Sequence, residues 1–213
     1  MSLSHDTSAG IRSTAPSSRM APGFLARVKG MLFAPKSEWL LVARESITRR
    51  RLFFGYVIPL AGLAALIELA RFSMFLRAPL ASVVAVVTLT LGFEVMCVYV
   101  VALIINAVAL YFRGVPSRGQ ALKVATYAST PLWLSAVFIP FPTVSVPLQF
   151  LAGLYHTYLM YLGLKGLMKS PCDRALGYAT TVVLCSIILG IIFVQLSANL
   201  GAALHLGHFR AFG

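Results

Sequence analysis

Residues 78–112 read APLASVVAVVTLTLGFEVMCVYVVALIINAVALYF, the longest apolar run in the chain, interrupted only by Glu94 and Asn106. As one helix it would extend about 52 Å at about 1.5 Å per residue. Bilayer hydrocarbon is only about 30 Å thick. The run is therefore one tilted, protruding span or two short ones, and that choice sets the topology of the whole chain. Charge decides between them. With one span here the chain has five. Then 15 of its 18 Lys and Arg residues share the side of the N-terminus, against 3 on the other side. With two spans here the chain has six, and the split is 10 against 8. Basic residues concentrate in cytoplasmic loops. The pattern thus predicts five spans, the N-terminus cytoplasmic and the C-terminus outside. No turn signal stronger than Gly92 argues for a break.

Composition leaves little room for another class of protein. The 213 residues are 59% hydrophobic and 11% charged, where a soluble domain is about one quarter charged. So few charges cannot coat a water-facing surface, and a bilayer removes that requirement. The net charge of +12 raises nucleic-acid binding as a question. However, nine of the 18 basic residues lie in the first 51 positions, and the rest flank apolar segments. That is the pattern of topology signals and headgroup contacts, so no nucleic-acid partner is expected. Cys97, Cys172 and Cys185 form neither a disulfide framework nor a zinc spacing. His205 and His208 in the tail have no carboxylate or thiol nearby in sequence. No metal or cofactor is expected. No Ser/His/Asp set, HExxH or paired acids mark a reaction centre, and an enzyme is not expected.

Residues 1–22 are Ser-, Thr-, Ala- and Pro-rich and are predicted to be disordered. No apolar core follows closely enough for a cleaved signal peptide, and Met20 opens an alternative start. Residues 23–51 form a basic amphipathic segment. Apolar residues recur there at helical spacing, Pro35 marks a boundary, and Ser37 is a fair N-cap for a second short helix. Helices this short and charged cannot span. They are predicted to lie in the cytoplasmic headgroup layer, with Arg27, Lys29, Lys36, Trp39, Arg49, Arg50 and Arg51 touching lipid headgroups. The competing reading is a solvated helix packed on the protein's own loops. The membrane domain then covers 52–197, with spans at about 53–70, 78–112, 121–139, 148–164 and 175–196, and a short external tail at 198–213. Pro59 is expected to kink the first span, and Glu68 and Arg71 to anchor its far end.

The order of local motifs resembles a known family. A basic preamble RVKGMLFAPKSEW is followed by GYVIPL, ALKVATYASTP, GLYHTYLMYLGLKGLMKSP and ALGY. This set is similar to the Yip domain, the Ypt/Rab-interacting-protein family, in its bacterial branch, over about residues 24–195. The resemblance implies a five-span bundle with a cytoplasmic N-terminus. Eukaryotic relatives are associated with Rab-type GTPases and vesicle traffic, but their DLYGP-type segment is absent here. Gly153, Tyr155, Tyr158, Tyr161 and Gly163 belong to the motif region and fit close helix packing.

Projected onto the bilayer, the middles of the spans fall beside Glu94, at Thr130–Pro131, at His156 and near Ser186. Glu94, Tyr127, Thr130, Pro131 and His156 thus form a candidate mid-membrane polar layer. Ionisable residues at that depth are rare and suggest function. Pro131 removes a backbone donor and leaves the Tyr127 carbonyl to find another partner. Glu94 and His156 are expected to face each other. Two function classes follow. One is an inner-membrane scaffold or interaction protein, with anionic headgroups, a membrane or cytoplasmic protein, or a second copy of itself as partner. The other is a small transporter or channel that uses the polar layer.

Overall fold

A computed structural model describes residues 23–75 and 80–203, and every element among them is helical. The segment 1–22, the His205/His208 tail and the Glu68 side chain, each given a role above, lie outside the described residues.

The basic segment forms two ten-residue helices, α1 (Phe24–Phe33) and α2 (Pro35–Arg44). Ala34 separates them. Pro35 is the first residue of α2 rather than a breaker before it, because its fixed φ suits a helical N1 position that needs no N–H donor. Ser37 is therefore inside the helix and not its cap, and its hydroxyl donates back to the Ala34 carbonyl at 2.9 Å.

Thr48 caps the next helix, which carries three arginines in its first turn: α3 (Arg49–Leu52). One π-helical turn, Phe53–Val57, leads into α4 (Ile58–Phe75). The π turn ends two residues before Pro59. A proline ring clashes with the carbonyl four residues back, here that of Gly55, and the wider turn relieves the clash. A kink was expected here, and the structure has a π turn, which is a recognised cause of helix bending.

The described part of the long apolar run is one unbroken helix, α5 (Leu80–Val108), of 29 residues, and the run ends in turns over Ala109–Phe112. The expected third span is not continuous. It divides into α6 (Arg118–Ala128), α7 (Thr130–Ser135) and a 3-10 turn, Ala136–Phe138. α8 (Pro142–Leu167) contains the expected fourth span and α9 (Cys172–Ala203) the fifth. Three stretches are long and apolar enough to cross a membrane by length and composition: Arg49–Arg71, Val83–Val108 and Cys172–Ile192. Their outward faces carry Leu66, Leu89, Met96, Leu184, Ile188 and Ile191, all exposed. Apolar surface on that scale needs a second apolar phase against it.

α6 is the centre of the fold. Every residue from Ala121 to Ala128 is buried, as in a helix enclosed on all sides. α5 and α8 flank it, and α2 lies across α8. The hinge of that crossing is Gly163. A Cβ there would sit 2.8 Å from Trp39 Cη2 and 3.1 Å from Val124 Cγ1. Gly163 therefore makes room for an indole. Gly153, expected to do the same, has no neighbour within 4 Å of where its Cβ would be. It is a helical glycine with open space beside it.

The two glycines are expected to respond to alanine with opposite sign. Gly163→Ala overpacks the Trp39 contact and should destabilise by about 1–3 kcal/mol. Gly153→Ala should stabilise by about 0.5–1 kcal/mol, the helix-propensity gain. Thermal unfolding of the detergent-solubilised protein measures both. Equal and small effects would mean that Trp39 does not rest on Gly163.

Candidate functional site

Side chains claim three backbone carbonyls at the break between α6 and α7. Ser129 Oγ donates to the Ala125 carbonyl at 2.9 Å. Thr130 Oγ1 donates to the Tyr127 carbonyl at 2.7 Å. That leaves the Tyr56 hydroxyl, 2.8 Å from Thr130 Oγ1, to donate to the threonine. His156, buried on α8, places Nδ1 2.8 Å from the Ala128 carbonyl. Because a carbonyl only accepts, Nδ1 carries the proton. The Tyr127 carbonyl is thus not open to a ligand, as the sequence suggested. Its own Thr130 satisfies it, as broken membrane helices commonly require.

Glu94 belongs to a different site. Trp133 Nε1 of α7 donates to its Oε2 at 3.1 Å. No hydrogen bond or ion pair joins Glu94 to His156 among the described residues. The expected pair is replaced by two separate anchors on the broken helix, one at Trp133 and one at the Ala128 carbonyl. A shared position along the spans does not fix which way each helix turns its side chains.

The basic preamble holds the densest polar cluster. Arg27 of α1 is 3% exposed. Its Nη1 donates to Glu38 Oε1 at 2.6 Å, and its Nη2 donates to Glu45 Oε2. The guanidinium also lies 5.5 Å from the centre of the Tyr127 ring, within cation–π range. Lys123 of α6 reaches the other way. Its Nζ donates to the carbonyl of Val42 at 3.0 Å and to that of Glu45, at the C-terminal end of α2. A cation there satisfies orphan carbonyls and complements the helix dipole. The Tyr155 hydroxyl serves α1 likewise, donating to the last-turn carbonyls of Met31, at 3.1 Å, and Leu32, at 2.7 Å.

α1 and α2 are therefore docked on the membrane domain. Arg27 and Trp39, expected at lipid headgroups, are buried. Trp39 meets the Tyr127 ring edge-on, with centroids 6.4 Å apart. Two carboxylates and an aromatic pocket hold these side chains more favourably than the headgroup layer would. Lys29, Lys36, Arg49, Arg50 and Arg51 are exposed. Tyr158 is 38% exposed, 5.8 Å from the Tyr155 ring, and Tyr161 lies half-buried against the core.

Several residues of this arrangement were missed in the sequence. Glu38 and Glu45 are the acids in an otherwise basic segment, seven apart, and that isolation was the available signal. Lys123 lies between apolar neighbours in ALKVATY. Tyr178 closes the ALGY motif but was given no role: its hydroxyl donates to the Ile105 carbonyl, and its ring stacks on Phe112 at 5.0 Å. Trp133 was also unassigned.

A family model described as the Yip1 domain matches residues 29–194. No curated protein and no solved structure matches the chain. The matched region runs from the preamble, through the broken helix, and into α9. The chain belongs to the Yip1 domain family and is a membrane protein.

Proposed function

We propose that this protein is a five-span scaffold of the bacterial inner membrane, with a cytoplasmic N-terminus and an external C-terminus. It works by holding anionic lipid headgroups on a rigid cytoplasmic platform. It is not an enzyme. The observation that carries this reading is the sorting of charge. Lys29, Lys36, Arg44 and Arg49 to Arg51 of the preamble are exposed, as are Arg113, Arg118, Lys165, Lys169 and Arg174, which the five-span topology would put on the same side. Glu38 and Glu45 turn inward to Arg27. Among the described residues of that face only Asp173 is an exposed acid, 3.7 Å from Arg174. A face with its carboxylates withdrawn is suited to anionic headgroups, at about 1 kcal/mol per basic residue near the surface.

The full-length protein in nanodiscs tests this. Its thermal midpoint should be higher in phosphatidylcholine doped with phosphatidylglycerol than in phosphatidylcholine alone. The difference should shrink between about 0.1 M and 1 M salt, as the screening length falls from about 10 Å to about 3 Å. Replacing Arg49, Arg50 and Arg51 by Gln should reduce it. Equal midpoints in both lipids would remove the headgroup role and leave an acidic protein partner as the occupant of this face. The transporter reading rests on one feature, a cleft beside Glu94.

A further inference from the structure

A cleft of about 320 Å³ lies between α4, α5 and α7. One wall is Ala61, Ala64 and Ala65 of α4, whose small side chains open the space. Opposite are Leu132, Trp133 and Ala136. Thr90 and Ser129 bring hydroxyls to the lining, and Glu94 brings its carboxylate. Among the described lining residues Glu94 is the only ionisable group. Trp133 fixes it in place through the Nε1–H to Oε2 hydrogen bond of 3.1 Å. Elsewhere in the described structure the carboxylates of Glu38 and Glu45 have Arg27, and that of Asp173 has Arg174. Glu94 has an indole donor, which supports a carboxylate without neutralising it.

We infer that this cleft binds a small organic monocation, an ammonium group on a short apolar body. Glu94 meets the charge, the Trp133 ring borders it, and the alanine and leucine walls cover the body. The volume falls at the low end of the range for small-molecule sites, about 300–1,000 Å³. A half-buried carboxylate facing apolar walls attracts a single positive charge attached to an apolar group, since each part of such a ligand then meets its match. A metal ion is a poorer fit, because no group of three or more His, Cys, Asp or Glu residues converges among the described residues. The inference concerns binding and does not depend on the scaffold reading.

The test uses the full-length protein in detergent, with n-hexylammonium as the probe and n-hexanol as its uncharged counterpart. Hexylammonium should raise the thermal midpoint in a saturable way, and hexanol should not. Glu94→Gln should weaken the hexylammonium response at least tenfold. If that variant does not fold, Ala64→Leu, which fills the cleft and leaves the carboxylate untouched, should abolish the response on its own. The inference is overturned if hexanol acts as well as hexylammonium, or if Ala64→Leu responds like the parent protein.

Discussion

Arg27→Ala is expected to lower stability by about 3–5 kcal/mol, the usual result of removing one partner of a buried ion pair. The size follows from what is left behind. Glu38 and Glu45 are largely withdrawn from solvent around the guanidinium, with side chains 11% and 15% exposed. Without Arg27 two carboxylates remain close together with no guanidinium between them. Their repulsion, added to the lost contacts, should release α1 and loosen α2. The effect should be partly reversible by a second change. Glu38→Gln with Glu45→Gln in the Arg27→Ala background removes the uncompensated charge, and residues in one network show couplings of about 0.5–3 kcal/mol. Thermal unfolding in detergent of the parent, the single variant and the triple variant measures this. If the triple variant is no more stable than Arg27→Ala, the charge cluster is not what holds the preamble.

Trp39→Ala should cost about 3–5 kcal/mol, as for large aromatic-to-alanine changes in a core. Trp39 is 3% exposed and fills the space that Gly163 leaves on α8, between Val124 and the edge of Tyr127. A tryptophan resting in headgroups would behave differently. Its loss would weaken membrane association and leave the unfolding midpoint nearly unchanged. Limited proteolysis adds a second readout, because release of α2 should expose the bonds around Ala34 and Glu45 to protease. A variant that unfolds with the parent midpoint and the parent cleavage pattern would contradict the docked arrangement.

The sequence made some of this legible for clear physical reasons. α5 could be read as one helix because five spans separate charge far better than six, and because 78–112 holds no strong turn signal. The donor missing at Pro131 was legible, since a proline removes a donor wherever it falls, but 121–139 was read as one continuous span and the break after Ala128 was not seen. The filling of that break was not visible. It depends on His156, 28 residues away, and on Tyr56, 74 residues away from Thr130. The preamble shows the same division. Its helices follow from Pro35 and the apolar spacing. Periodicity gives a helix an apolar face but does not say whether lipid or protein covers it. Here protein does, because Gly163 lies 124 residues beyond Trp39 in the chain and still opens a seat for it. Glu38 and Glu45 were overlooked because a basic majority hides two acids in any net count. Gly153 was misread because a glycine in a motif can mark close approach or nothing at all, and only neighbours in space distinguish the two.

The five-span topology underlies every statement about which face is cytoplasmic, and reporter fusions test it most directly. A periplasm-active reporter joined after Gly213 should be active, and the same reporter inserted between Arg113 and Ser117 should be silent. A cytoplasm-active reporter should show the reverse. That pattern is expected because 15 of the 18 basic residues then lie inside. A cytoplasmic C-terminus would contradict it, since the basic residues would then be divided between the two sides and no single basic platform would exist.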